Sequence, residues 1–310
     1  MKSVNVFAPA SIGNVSCGFD VLGLAVNDPG DVVSLELNNS NEIKIKSIEG
    51  DGGKLSYDAD KNTAGVAVRA YLKAIESNQG VDITLHKNLP LGSGMGSSAA
   101  SAVAAAVAIN HLMGEPLTRD HLLPFVMEAE RVACGSAHPD NAAPSLLGGL
   151  ILARSVNPLD IIRIPTPKDL MCVLVHPHIE VRTKDARQVL KSSISLKDGV
   201  TQWANTAALV AGMMKDDYEL IGRSLVDVVA EPLRAVLIPG FDEIKKTAIE
   251  NGALGCGISG SGPTVFCLCK GIENAHRAAN VIQEKFNSMN LQNERFVSSV
   301  NNQGARIITA

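Results

Sequence analysis

The chain has 310 residues, of which 45% are hydrophobic and 19% charged, so it can bury a sizeable core as one large domain or two ordinary ones. A formal charge of −4 with no basic run makes a poor grip for a nucleic-acid backbone, and aromatics at 4% favour packed helices and sheet over stacking platforms for single strands. The six cysteines, at positions 17, 134, 172, 256, 267 and 269, form no C-x-x-C pair and no zinc-spaced cluster, so they read as reduced, packed thiols.

The N-terminus runs straight into Val4-Asn5-Val6-Phe7, without a charged region ahead of a long apolar one. No apolar stretch approaches the roughly 18 residues of a membrane span. A cytoplasmic location is therefore expected. Residues 32–37 and 43–48 read as strands, the second alternating as Ile-Lys-Ile-Lys-Ser-Ile. An amphipathic helix is predicted over 62–77 and a strand over 81–86. A glycine-rich loop at 91–97 then leads into an Ala-rich helix from 98 to 113. Another helix lies between 118 and 133. Pro124 either kinks it or opens its main segment, since an interior proline loses a hydrogen bond whereas a first-turn proline does not. A strand over 149–154 closes the first half.

Pro158, Pro165 and Pro167 cluster at the expected junction, dividing the chain into 1–165 and 166–310. Beyond it come a strand at 171–176 and helices near 183–190, 202–214, 219–229 and 241–251. Strands near 263–269 and 306–309 enclose a last helix at 274–289. Strands and helices mix in both halves without a steady βαβ beat, which predicts an α+β fold in place of a doubly wound sheet.

The most informative segment is Pro90-Leu91-Gly92-Ser93-Gly94-Met95-Gly96-Ser97-Ser98-Ala99-Ala100. Its alternating glycines let a backbone approach a ligand closely, and the following helix N-terminus suits an anion. Ser97 and Ser98 are expected to cap that helix, with Ser98 also able to offer its hydroxyl to Mg²⁺. The spacing fits neither a Walker A loop, which needs a lysine here, nor the G-x-G-x-x-G dinucleotide fingerprint.

This segment resembles the ATP-binding motif of the GHMP kinases. Two further motifs of that superfamily occur in order. Pro9-Ala-Ser-Ile-Gly-Asn14-Val-Ser-Cys-Gly18-Phe19-Asp20-Val-Leu-Gly23 is similar to the first, and Gly252-Ala-Leu-Gly-Cys-Gly-Ile-Ser-Gly260-Ser-Gly-Pro-Thr-Val-Phe266 to the third, which packs beside the phosphate loop. Four segments resemble the homoserine kinases within it: the Gly-Phe-Asp run, Ser136-Ala-His138-Pro-Asp140-Asn141, Thr183-Lys-Asp-Ala-Arg187, and Glu231-Pro-Leu-Arg234. Ile12-Gly13 and Cys17 depart from the usual residues of the first motif.

The resemblance implies an S5-like N-terminal domain and a ferredoxin-like C-terminal domain with the site between them. It implies phosphoryl transfer from ATP to L-homoserine, with Mg²⁺ and a homodimer. By the same resemblance Arg187 and Arg234 hold the substrate carboxylate and Asp20 its ammonium. Asn14, His138 and Asn141 line the rest of the pocket, with Asn141 and His138 orienting the hydroxyl. Glu130 and Ser98 are the implied metal ligands, while Asn62 and Lys87 meet the adenine end of ATP. Asp140 is the remaining carboxylate near the hydroxyl. A mevalonate-type kinase and a non-catalytic ligand sensor are the competing readings.

Overall fold

The structure, a computed structural model, describes residues 3–135, 138–181 and 183–308, apart from the side chains of Ala133, Cys134 and Thr183. Ser136 and Ala137 of the His-Pro-Asp-Asn segment and Thr309 of the last expected strand lie outside the described residues, as does the Cys134 side chain.

In chain order the first half contains β1 (Ser3–Gly13), β2 (Leu22–Asn38), β3 (Ile43–Glu49), α1 (Thr63–Ala74), β4 (Gly80–His86), α2 (Ser97–Leu112), α3 (Leu123–Cys134), α4 (Pro139–Leu147), β5 (Leu150–Val156) and β6 (Leu159–Ile164). The second half contains β7 (Leu170–Pro177), α5 (Thr183–Gln188), α6 (Leu196–Met214), α7 (Tyr218–Ser224), α8 (Glu231–Arg234), α9 (Phe241–Glu250), β8 (Ala253–Ile258), β9 (Val265–Lys270), α10 (Ile272–Ser288), β10 (Asn293–Ser299) and β11 (Arg306–Ile308).

The first sheet runs β11-β1-β2-β4-β3, with β5 pairing β2 and β6. Its last strand comes from the end of the chain: Asn5, Val6 and Phe7 of β1 face Ile308, Ile307 and Arg306. The second sheet has the order β10-β7-β9-β8, every pair antiparallel. With helices after β7 and β9 this is the β-α-β-β-α-β arrangement of a ferredoxin-like unit. The α+β expectation holds.

Helix α2 sits at the centre of the first half. It is buried on nearly every side, packing on β1 and β2 and against α1, α3 and α4. Its run of alanines and valines suits that place, because small side chains let neighbouring elements approach from all directions. Tyr71 of α1 donates to Asn110 of α2 at 3.1 Å, which satisfies both buried polar groups. The consequence for function is one of aim. A fully enclosed helix cannot tilt, so its N-terminus is held at one point, on the edge of the cleft between the two sheets.

Several expectations change in the structure. The helix expected over 118–133 divides into a 3₁₀ turn, Arg119–Leu122, and α3, with Pro124 in the first turn of α3 where its missing N–H costs nothing. The helix expected over 219–229 stops at Ser224. Asp227 then draws the backbone N–H groups of Val229, Ala230 and Glu231 onto its carboxylate, which ends one helix and starts α8. Strands β1, β6, β8 and β10 and helices α4 and α8 were not anticipated. β1 is buried on both faces over most of its length and shows no alternation, and β8 reads as a glycine-rich turn.

Candidate active site

The N-terminus of α2 faces a cavity of about 150 Å³ between the two sheets. Gly92, Ser93, Gly94, Gly96, Ser97 and Ser98 line it on one side. Asn14, Asp20, Glu130, His138, Asp140, Asn141, Arg187, Arg234, Gly260 and Ser261 line the rest. Three sequence motifs and the four family-like segments thus converge on one space.

The phosphate loop differs from expectation in its cap. Gly96 is the N-cap residue, left-handed at φ 72°, and no side chain caps the helix. Ser97 donates instead to Leu89 O at 3.2 Å and Ser98 to Glu130 Oε1 at 2.6 Å. With no serine oxygen over them, the first N–H groups of α2 stay open to an anion. Gly94 allows the third motif to close on the loop: a Cβ there would stand 2.3 Å from the Ser259 carbonyl oxygen. Ser259 Oγ donates to Gly94 O at 2.8 Å and Thr264 N to Ser93 O at 3.1 Å, so the third motif packs beside the phosphate loop as the resemblance implied. Met95, Ala99 and Ala100 are buried beneath the loop, and Pro90 and Leu91 lie outside the cavity lining.

The first motif makes an unusual turn. Asn14, Val15 and Ser16 are left-handed in succession, at φ 69°, 44° and 62°, and Asp20 follows at 60°. Such residues cost on the order of 1–3 kcal/mol each and persist only where the surroundings hold them. Asn14 Nδ2 donates to Gly260 O at 2.8 Å, and Asn14 Oδ1 accepts from Asp20 N at 3.0 Å. Gln202 Nε2 and Thr206 Oγ1 both donate to Cys17 O at 2.8 Å. Gln202 also binds Asp227 at 2.9 Å, tying this turn to the segment that carries Arg234. Sequence reasoning missed Gln202, Thr206 and Asp227, because neutral polar residues on a helix carry no signal of a carbonyl that arrives from far along the chain. The Cys17 thiol is buried and pushed up to about 12 by that burial.

On the substrate side, Arg187 of α5 grips Asp20 in a bidentate pair at 2.9 and 3.1 Å. Arg234 is 5% exposed. Its Nε and Nη1 donate to Ala186 O and Gly260 O at 3.0 and 2.9 Å, and it makes no ion pair among the described residues. Burial and then the neighbouring Arg187 lower its pKa. His138 Nδ1 stands 3.7 Å from Asp20 Oδ2, while its buried Nε2 has no hydrogen-bond partner among the described residues. Burial lowers the His138 pKa, which favours the neutral imidazole.

Asn141 accepts from Ser11 Oγ at 2.9 Å, a contact that orients its amide. Gly13, a departure from the usual motif, makes room for α4: a Cβ would stand 2.8 Å from both Asp140 Oδ2 and Asn141 Nδ2. Asp140 is raised to about 7, chiefly by burial and then by Asp20. Burial also raises Glu130, against the pull of its Ser98 hydrogen bond.

Asn62 and Lys87 do not reach the cavity. Asn62 caps α1 through Ala64 N at 3.1 Å. The Lys87 ammonium turns inward to pair with Asp31, and also donates to Ser97 O at 2.9 Å and Ser101 Oγ at 2.7 Å. This pair anchors the start of α2 to β2. Lys87→Met is therefore expected to strand a buried Asp31 charge and cost about 3–5 kcal/mol of stability. Thermal melts of the two proteins check this. An unchanged midpoint would mean that Asp31 finds another partner.

Comparison with known proteins decides the family. The family models "GHMP kinases N terminal domain" and "GHMP kinases C terminal" match residues 62–149 and 208–288. The chain is 53% identical to a homoserine kinase of Chlorobium phaeobacteroides (strain BS1), over 99% of this chain and all of the relative. The chain belongs to the homoserine kinases of the GHMP superfamily. A crystal structure of homoserine kinase from Cytophaga hutchinsonii superposes with a TM-score of 0.97 at 50% identity, covering 99% of this chain and 98% of that one. An L. major mevalonate kinase, solved in complex with R-mevalonate, gives 0.72 at 16% identity over 97% and 96%, a likeness of fold alone. Among the described residues no helix is long and apolar enough to cross a membrane.

Proposed function

We infer that this enzyme transfers the γ-phosphate of ATP to the side-chain hydroxyl of L-homoserine, giving O-phospho-L-homoserine and ADP. The observation that carries this reading is Arg234, a buried guanidinium with no ion-pair partner among the described residues, lining the same cavity as an uncapped helix N-terminus. A substrate carboxylate supplies what Arg234 lacks, and phosphate supplies what α2 lacks. Mevalonate also has a carboxylate and a hydroxyl but no ammonium, so it would leave Asp20 without a cation once Arg187 turned to the carboxylate. A ligand sensor has no use for Glu130 beside Ser98. A coupled ADP-release assay with homoserine, mevalonate and galactose at equal concentration tests the reading. Turnover that prefers mevalonate or galactose would overturn it.

The residues divide the work of positioning. ATP phosphates lie against the N–H groups of α2 and the glycine backbone. Arg234 and Arg187 take the carboxylate, and Asp20 turns from Arg187 to the ammonium. Asn141, held by Ser11, and His138, whose buried Nε2 has no hydrogen-bond partner among the described residues, orient the hydroxyl. Glu130 and Ser98 fit Mg²⁺: one carboxylate and one hydroxyl meet at 2.6 Å, with no cluster of three ligating acids or histidines among the described residues. Such a sparse donor set suits an ion that keeps phosphate and water oxygens. Bound there, Mg²⁺ would neutralise charge on the phosphate oxygens. The homodimer is proposed from the family resemblance, and a cytoplasmic location from that resemblance together with the buried free thiols.

No carboxylate serves as general base in this proposal. A loose transition state places little charge on the nucleophile early, so its proton can leave late, to the γ-phosphate itself. Asp140 supports the start of α4. Asp140→Asn is expected to keep kcat within roughly tenfold, a smaller loss than the 10²–10⁴-fold typical of general-base removal. A thousandfold fall with both KM values unchanged would make Asp140 the base. The variant has a second readout. A carboxyl raised from 3.8 to about 7 binds more protons folded than unfolded, so its charge costs stability as pH rises through that window. Asp140→Asn should flatten the decline in stability between those values.

A further inference from the structure

The ring of Phe19 lies beside two guanidiniums at once. Arg187 Cζ is 5.8 Å and Arg234 Cζ 5.2 Å from its centroid. Both fall within the roughly 6 Å over which an aromatic quadrupole attracts a cation. The three residues come from separate segments: Phe19 from the turn between β1 and β2, Arg187 from α5, and Arg234 from α8. The two arginines are like charges brought together in a half-closed cleft. Asp20, the residue after Phe19, answers the charge of Arg187 through a bidentate pair. Arg234 is more deeply buried and has two carbonyl oxygens but, among the described residues, no carboxylate hydrogen-bonded to it. The face of Phe19 is the aromatic surface against it, alongside the negative charges of Asp20, Asp227 and Asp140 that also act on it.

We propose that Phe19 is a positioning residue, whose π-face holds Arg187 and Arg234 side by side as a preset fork for the substrate carboxylate. The inference rests on the functional reading above. An aliphatic side chain could fill the same space, yet it offers no negative face. The two guanidiniums would then be held in the empty site only by Asp20 and by the carbonyl oxygens of Ala186 and Gly260, and their shared alignment would have to be completed on binding. That cost falls on homoserine and not on ATP, whose phosphates lie at α2.

The test replaces Phe19 with phenylalanines carrying one, two and three ring fluorines, which drain the ring face while keeping its shape, together with Phe19→Leu and Phe19→Tyr. The homoserine KM is expected to climb with each fluorine and to reach about tenfold in Phe19→Leu, which corresponds to about 1.4 kcal/mol. Phe19→Tyr restores it, and the ATP KM stays level throughout. A homoserine KM that is flat along the fluorine series overturns the proposal, as does an ATP KM that rises in step with it. An active wild type with a flat series removes only the role of Phe19. A wild type that releases no ADP with homoserine overturns the functional reading itself.

Discussion

Replacing Glu130 by Gln is expected to cut kcat roughly a hundredfold or more, since losing a metal ion's charge stabilisation is worth several kcal/mol at about 1.36 kcal/mol per decade. Glu130 is the carboxylate that meets Ser98 at the mouth of α2, and the change keeps its shape while removing its charge. Homoserine binding should survive, because the arginines and Asp20 are held by one another and by backbone carbonyls, and Glu130 hydrogen-bonds to Ser98 instead. The Mg²⁺ concentration needed for half-maximal rate should rise in the same variant. Steady-state rates across a Mg²⁺ titration check both effects. Turnover near the wild-type rate at low Mg²⁺ would remove Glu130 from the metal site. Glu128 would not replace it there, since it is committed to Arg131 through two hydrogen bonds on the outer face of α3.

Arg234→Leu is expected to raise the homoserine KM far more than the ATP KM. A desolvated carboxylate that loses its charged partner costs about 2–5 kcal/mol, which at about 1.4 kcal/mol per decade is more than tenfold. Part of the effect is structural, because Ala186 O and Gly260 O each lose a donor. Arg234→Lys separates the two contributions: it keeps the charge but loses the planar fork, and should fall between wild type and Arg234→Leu. Equal losses toward both substrates would mean general damage to the cleft.

What could be read in advance depended on how local each signal was. The glycine spacing of 92–96 and the long alanine run behind it point to a helix N-terminus at an anion without any knowledge of the fold. The alternation of 43–48 and of 81–86 likewise marks two strands from their own residues. β1 hides itself because both of its faces are covered, and β8 because its small residues pack under α7 and α8. At the site, charged residues of the family-like segments line one cavity, and Lys87 is not among its lining residues. Its buried pairing with Asp31, far away in sequence, leaves no local signal. The Ser97 and Ser98 caps failed for a related reason. Each hydroxyl is drawn off by a tertiary partner, and Gly96 makes the turn alone.

Phosphorus NMR of a reaction containing the purified protein, ATP, Mg²⁺ and L-homoserine tests the central claim most directly. The account predicts a new phosphate-monoester signal, coupled to the side-chain CH₂ protons of homoserine, that grows as ATP is converted to ADP in equal amount. Release of inorganic phosphate alone, or ATP left unchanged in the presence of homoserine, would contradict it.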